Sequence, residues 1–284
     1  MNNSIERKRV FVTGASSGLG AAVAIAFAKQ GADVAINHLP GEEEAAREVA
    51  NRCQAFSVEA LLLQGDVSRD ESCRQMACAI EKWQGLHALI NNAAVTRHVP
   101  DHGDLEALTA ADFQDIYAVN VIGPFQMIRS MRPHLEAAAR KCGVSSAIVN
   151  VSSLAGISGG GSSLAYAASK GALNTLTRSL APVLAPLIRV NAICPAVMNT
   201  TWFEKAFGAD SAEAIMAAAR RLSILGEVMR PEDVAEIVLF LSGDSARYII
   251  GELVPIGAGI GLSKSDAYKE ALSQALAKSQ HSIR

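Results

Sequence analysis

The sequence predicts a single α/β domain built on a doubly wound parallel sheet of about seven strands, with helices on both faces. Three observations carry this expectation. Short apolar, β-branched runs recur along the 284 residues, Ala- and Leu-rich stretches of helical length separate them, and the first run opens into a Gly-rich turn. Parallel strands need crossover connections, and helical crossovers cover the sheet's faces, so this alternation selects a parallel sheet between helical layers.

Taken in order, the runs 10–12, 34–36, 61–63, 88–90, 147–151 and 188–192 read as buried strands, with a weaker one at 253–256. Between them, 21–30, 42–53, 71–83, 111–138, 170–184 and 231–241 read as helices. The stretch 199–227 interrupts the rhythm with Trp202, Phe203 and Phe207 and reads as a helical substrate lid. The core spans about 8–261 of a single domain covering 1–284. The tail 262–284 carries Tyr268, Leu272 and Leu276 at fourfold spacing, the pattern of an amphipathic helix that either docks on a partner subunit or frays.

Composition narrows the function classes. Lys+Arg 26 against Asp+Glu 28 gives a net charge of −2, so no strong field exists to gather nucleic acid or acidic lipid. No run of about eighteen apolar residues offers a membrane span. The start, MNNSIERKRVFVTG, lacks the apolar stretch of a secretory signal, and five cysteines without metal-ligand spacing read as reduced thiols. The expectation is a cytoplasmic protein that acts on a small molecule.

Three strand ends converge on one ligand. After the first strand comes Thr13-Gly14-Ala15-Ser16-Ser17-Gly18-Leu19-Gly20 and then an Ala-rich helix. Glycines there let the backbone approach a pyrophosphate, which the helix N-terminus favours electrostatically. Asp66 and Val67 close the third strand, where Asp66 is placed to bond an adenine amino group and the Val67 backbone to lie beside the ring. Asn91-Asn92-Ala93-Ala94 closes the fourth, where small residues let a ribose sit against the backbone. Any one segment has a bland reading, Asp66 as a turn former for example. Together they mark the carboxyl-end crevice of a dinucleotide site.

The chemistry lies further on. Tyr166 and Lys170 stand at i and i+4, about one helical turn apart. A phenol titrates near 10, so making it a base near neutrality takes about three pKa units, roughly 4 kcal/mol, and neighbouring positive charge has the right sign. Ser153, after the fifth strand, is placed to bond a substrate oxygen. Asn120, inside the 111–138 helix, is placed to bend it and hold a water that relays protons to Lys170.

These residues resemble the short-chain dehydrogenase/reductase family over about 10–261. The resemblance implies a Rossmann-type fold, Asn120, Ser153, Tyr166 and Lys170 as the catalytic four, and hydride transfer between nicotinamide and a secondary alcohol or ketone. It also implies that Pro195, the Met198 backbone and Thr200 face the carboxamide, and that the chain assembles as a homotetramer through the 111–138 and 170–184 helices. The apolar set Ala172, Leu173, Leu176, Leu180 and Val183 fits such an interface. Ala94 and Ala196 stand where the family has glycine, and Ile256-Gly257-Ala258-Gly259 departs from its Asp-Gly-Gly. Asn37 and His38 end the second strand with neither the acid of NAD users nor the Arg of NADP users. They resemble members that take NADP or both forms, which favours NADP(H) over NAD(H), although Ser16 and Ser17 replace the basic residue many NADP users carry. The competing class is a non-catalytic dinucleotide sensor of the same fold, and such proteins lose the Tyr or the Lys.

Overall fold

The computed structural model describes residues 8–99, 101–200 and 208–260. Trp202, Phe203 and Phe207 of the expected lid, and Tyr268, Leu272 and Leu276 of the tail, lie outside the described residues.

All seven expected strands form: β1 (Arg9–Val12), β2 (Asp33–His38), β3 (Ala60–Gln64), β4 (Ala88–Asn91), β5 (Ser146–Val151), β6 (Ile188–Pro195) and β7 (Leu253–Ile256). They build one parallel sheet in the order β3-β2-β1-β4-β5-β6-β7. β1 and β4 are neighbours, so the chain reverses direction across the sheet at their shared edge, and a crevice opens above their carboxyl ends.

Helices α1 (Gly18–Lys29), α2 (Glu43–Gln54), α3 (Asp70–Ala79), α4 (Ala110–Tyr117), α5 (Gly123–Cys142), α6 (Ala155–Ser158), α7 (Leu164–Leu184), α8 (Ala209–Leu222) and α9 (Pro231–Ser242) complete the domain. One apolar cluster joins α1, α2 and α9 to the sheet through Val23, Phe27, Val49 and Val238, and a second packs Met76, Met127, Met131, Leu135 and Leu184 on the opposite face. Both faces are thus covered, and the central strands carry apolar residues on successive positions rather than alternately.

Two helices depart from the sequence expectation. The single helix expected over 111–138 is interrupted by a π-helical turn at Ala118–Ile122. Pro124 explains it: lacking an N–H, it cannot close the α-helical bond to the Asn120 carbonyl, so the turn widens there. The helix expected from 170 begins at Leu164, because the Ser163 hydroxyl accepts a bond from the Tyr166 N–H and caps it. Leu173 of the expected interface set is core, 1% exposed, and Leu180 packs on the core as well, whereas Val183 is 63% exposed. The apolar surplus on this helix is therefore smaller than its spacing suggests.

Candidate active site

The site begins with the turn after β1. Gly14 has φ +59°, and a Cβ there would lie 3.0 Å from the Ala93 backbone. At Gly20 a Cβ would lie 2.3 Å from the Gly14 carbonyl oxygen, so only glycine lets α1 pack this close to the turn. Asn92 locks the arrangement, its amide donating to the Thr13 and Gly14 carbonyls at 2.9 Å each. The Thr13 hydroxyl accepts from the Asn92 and Ala93 N–H groups at 2.9 and 3.0 Å. Ser17, the N-cap of α1, makes no side-chain capping bond, which leaves the first-turn N–H groups and the positive helix end for an anion.

Above this floor lies a cavity of about 440 Å³. Gly14, Ser16, Ser17, Gly18, Leu19, Asn37, Asp66, Val67, Asn92, Ala93, Pro195, Met198 and Thr200 of the expected set line it, together with Ser153, Tyr166 and Lys170. Gly20, His38 and Asn120 are not in the lining; Gly20 serves close packing, and His38 is buried with Nδ1 against the Leu39 carbonyl oxygen. Glu42, His98 and Ile215 line the cavity and were not foreseen. Glu42 was legible in principle, since Leu39-Pro40-Gly41 is a turn composition that folds the chain back toward the cavity after β2. Ile215 sits on α8 inside the 199–227 excursion, whose two feet are tied by the Asn199 N–H donating to the Met229 carbonyl at 2.9 Å. Ala94 and Ala196 do not take positive φ, so the missing glycines leave the turns intact, whereas Ala258 sits at φ +49°.

Asn37 departs from its expected role. Its Oδ1 accepts the Gly14 N–H at 3.0 Å, and its Nδ2 donates to the Leu63 and Gly65 carbonyls at 3.2 and 2.8 Å, so its polar atoms brace β2 against β3 and the glycine turn. Asn37→Asp would set a carboxylate against two carbonyl oxygens. We expect that variant to lose about 2–4 kcal/mol in denaturant unfolding at neutral pH. Unchanged stability would refute the bracing role.

The chemical end of the cavity is built on α7 and β5. Tyr166 lies in the first turn of α7 and Lys170 one turn on, with Nζ 5.7 Å from the Tyr166 ring centre. The Lys170 ammonium donates to the Val151 carbonyl at 2.8 Å, and burial pushes its pKa down to about 8. Surrounding protein pushes the Tyr166 phenol above its ordinary value, and a hydrogen bond with the Ser153 side chain opposes this. Desolvation outweighs that hydrogen bond, and the phenol rests protonated. Ser153 is anchored by the Ala155 N–H at 3.1 Å. Asn120, fully buried, donates to the Val95 carbonyl at 2.9 Å and to the Ser169 hydroxyl at 3.0 Å, and accepts the Val95 N–H at 2.9 Å. Ser169 in turn donates to the Tyr166 carbonyl at 2.7 Å, so Asn120 ties the π-turn to the helix carrying Tyr166 and Lys170.

A glycine turn at the switch point and a Ser, Tyr and Lys converging on the same cavity define a nucleotide-dependent oxidoreductase. The family described as enoyl-(acyl carrier protein) reductase matches residues 14–261. A 3β-hydroxysteroid dehydrogenase from Eggerthella lenta is 34% identical over 264 residues, 92% of this chain and 97% of that protein. A dehydrogenase/reductase from Sinorhizobium meliloti superposes with a TM-score of 0.79 at 31% identity, covering 92% of this chain and 98% of its own. The Pseudomonas aeruginosa protein RhlG, solved as an active-site complex with NADP, does so at 0.81 and 28%, covering 92% and 99%. The chain belongs to the short-chain dehydrogenase/reductase family and is an NAD(P)-dependent oxidoreductase.

Proposed function

We propose that the protein interconverts a ketone and a secondary alcohol, with Tyr166 as proton donor and acceptor. The observation that carries this is the convergence of Ser153, Tyr166 and Lys170 on the cavity floored by the Gly14–Gly20 turn. A bound nicotinamide dinucleotide supplies the hydride. The uncapped α1 N-terminus and the close approach permitted at Gly14 fit its pyrophosphate. Ser153 orients the substrate oxygen, and the protonated phenol gives that oxygen its proton as negative charge develops. Lys170 binds the cofactor ribose and, being itself near its titration midpoint, passes protons on. Asn120 acts as a positioning residue through Ser169.

The substrate end, lined by Val95, Val119, Met198 and Ile215 with His98 among them, suits an apolar ketone carrying one polar group. The steroid dehydrogenase relative supports a secondary-alcohol class. No described helix is long and apolar enough to cross a membrane, and all five cysteines are free, which supports a reducing, cytoplasmic setting. Phe113, Ile122 and Phe125 on the α4–α5 face, and Val183 on α7, leave exposed apolar surface that supports homotetramer assembly.

The test is reduction of a panel of ketones, followed by loss of reduced-nicotinamide absorbance with NADH and NADPH separately. Dinucleotide binding without turnover of any ketone or alcohol would favour the sensor reading instead.

A further inference from the structure

Asn37, the expected discriminator at the end of β2, lines the cavity but commits its polar atoms to Gly14, Leu63 and Gly65, which turns attention to the charged side chains beside it. The cavity wall beside the Gly-rich turn contains Ser16, Asn37, Leu39, Glu42 and Asp66. Glu42 stands 22 positions beyond Gly20, at the N-cap of α2, and the loop from β2 returns it to the turn. Its Oε2 accepts from the Ser16 hydroxyl at 2.9 Å and from the Leu39 N–H at 3.1 Å. Two donors thus fix the side chain, while Oε1 accepts no hydrogen bond from a described residue. Ser16 is itself buried, 7% exposed, so the anchor is firm.

The charge pattern around it is one-sided. Of the Asp, Glu, Lys and Arg side chains lining the cavity among the described residues, Glu42 and Asp66 lie on the β2–β3 side of the switch point. Lys170 lies on the β5 side, beside Tyr166. An acid about 20 residues beyond the glycine fingerprint is placed to accept a bond from the adenosine ribose 2′-hydroxyl. A 2′-phosphate at the same point brings about two negative charges next to a fixed carboxylate, with no Lys or Arg of the described lining to pair with them.

We propose that Glu42, held by Ser16 and the Leu39 N–H, is the residue that selects NAD(H) over NADP(H) in this protein. The inference rests on the nicotinamide-dependent reading above and reverses the preference that Asn37 and His38 suggest from sequence. Selection here works chiefly by exclusion, since the same carboxylate that welcomes a hydroxyl opposes a phosphate.

The test needs no knowledge of the substrate. NADH and NADPH are titrated separately against the full chain, following fluorescence of the reduced nicotinamide, for wild type and Glu42→Gln. Glutamine keeps an acceptor for Ser16 and Leu39 while removing the charge. Wild type should bind NADH at least about tenfold tighter than NADPH, and the variant should narrow that ratio about fivefold or more, mainly by tighter NADPH binding. On wild type alone, raising the salt concentration should narrow the ratio as well, because the repulsion is screened while the hydroxyl bond is not. Equal or tighter NADPH binding by wild type would overturn the proposal, as would a ratio that neither charge removal nor salt moves. Failure of wild type to bind either dinucleotide would overturn the nicotinamide reading itself and this inference with it.

Discussion

Tyr166→Phe is expected to lower kcat for ketone reduction about a thousandfold, within the range that positioned acid–base groups contribute, while dinucleotide affinity changes by less than about threefold. The asymmetry follows from what the substitution removes. The ring stays in the first turn of α7, the Ser163 cap bonds the backbone N–H of residue 166, and Lys170 keeps its bond to the Val151 carbonyl. Only the hydroxyl is lost, and with it the hydrogen bond to Ser153. The same phenol sets the pH behaviour. Because its surroundings hold the pKa above the ordinary 10.0, the phenol keeps its proton through neutral pH, so a change in reduction rate near pH 8 is expected from Lys170 alone, and alcohol oxidation, which needs the phenolate, should climb at alkaline pH. Steady-state kinetics of wild type and variant check both statements. A variant that keeps more than a tenth of wild-type kcat would remove Tyr166 from the proton path.

The sheet was legible in the sequence because its inner strands are buried on both faces, so they read as successive apolar residues. Val10-Phe11-Val12 of β1 and Ala88-Leu89-Ile90 of β4 are the clearest examples. The pairing of Tyr166 with Lys170 was legible because the two share one helix a turn apart, whereas Ser153 and Asn120 were placed beside them by the family resemblance. What spacing could not supply was the balance of solvation. An ammonium one helical turn from a phenol, 5.7 Å from its ring centre, has the right sign for activation, but burial raises the pKa of one group and lowers that of the other. Asn37 misled for a related reason: its position at the end of β2 is right, yet its side-chain direction depends on which carbonyls of β3 need donors, a matter of sheet register between distant segments. Glu42 was hidden because strand-end logic stops at the strand, and the bend at Leu39-Pro40-Gly41 carries the next acid back. The π-turn at Asn120 did have a local signal in Pro124, four residues on.

Lys170→Met is expected to separate stability from activity. Burial holds Lys170 at about 8 against an ordinary 10.5, so between these values the unfolded chain binds more protons than the folded one. Folding stability contributed by this group therefore rises as pH increases from 8 to 10.5, and below 8 the protein carries the full cost of a buried ammonium. At about 1.36 kcal/mol per pKa unit, the swing is on the order of 3 kcal/mol. Methionine removes the titration, so the difference in unfolding free energy, wild type minus variant, should climb by that order across the window and stay flat beneath it. Against this, the Val151 carbonyl loses its donor, an offset of about 1–3 kcal/mol that does not vary with pH. Activity should move the other way: on the function proposed above, kcat falls at least about a hundredfold and dinucleotide binding weakens, because one ammonium would both support proton transfer and hold the cofactor ribose. Denaturant titrations at stepped pH, paired with fluorescence titration of NADH, read the two effects independently. A stability difference that does not change between pH 8 and 10.5 would mean Lys170 keeps its ordinary titration, and undiminished NADH affinity would confine its part to the proton path.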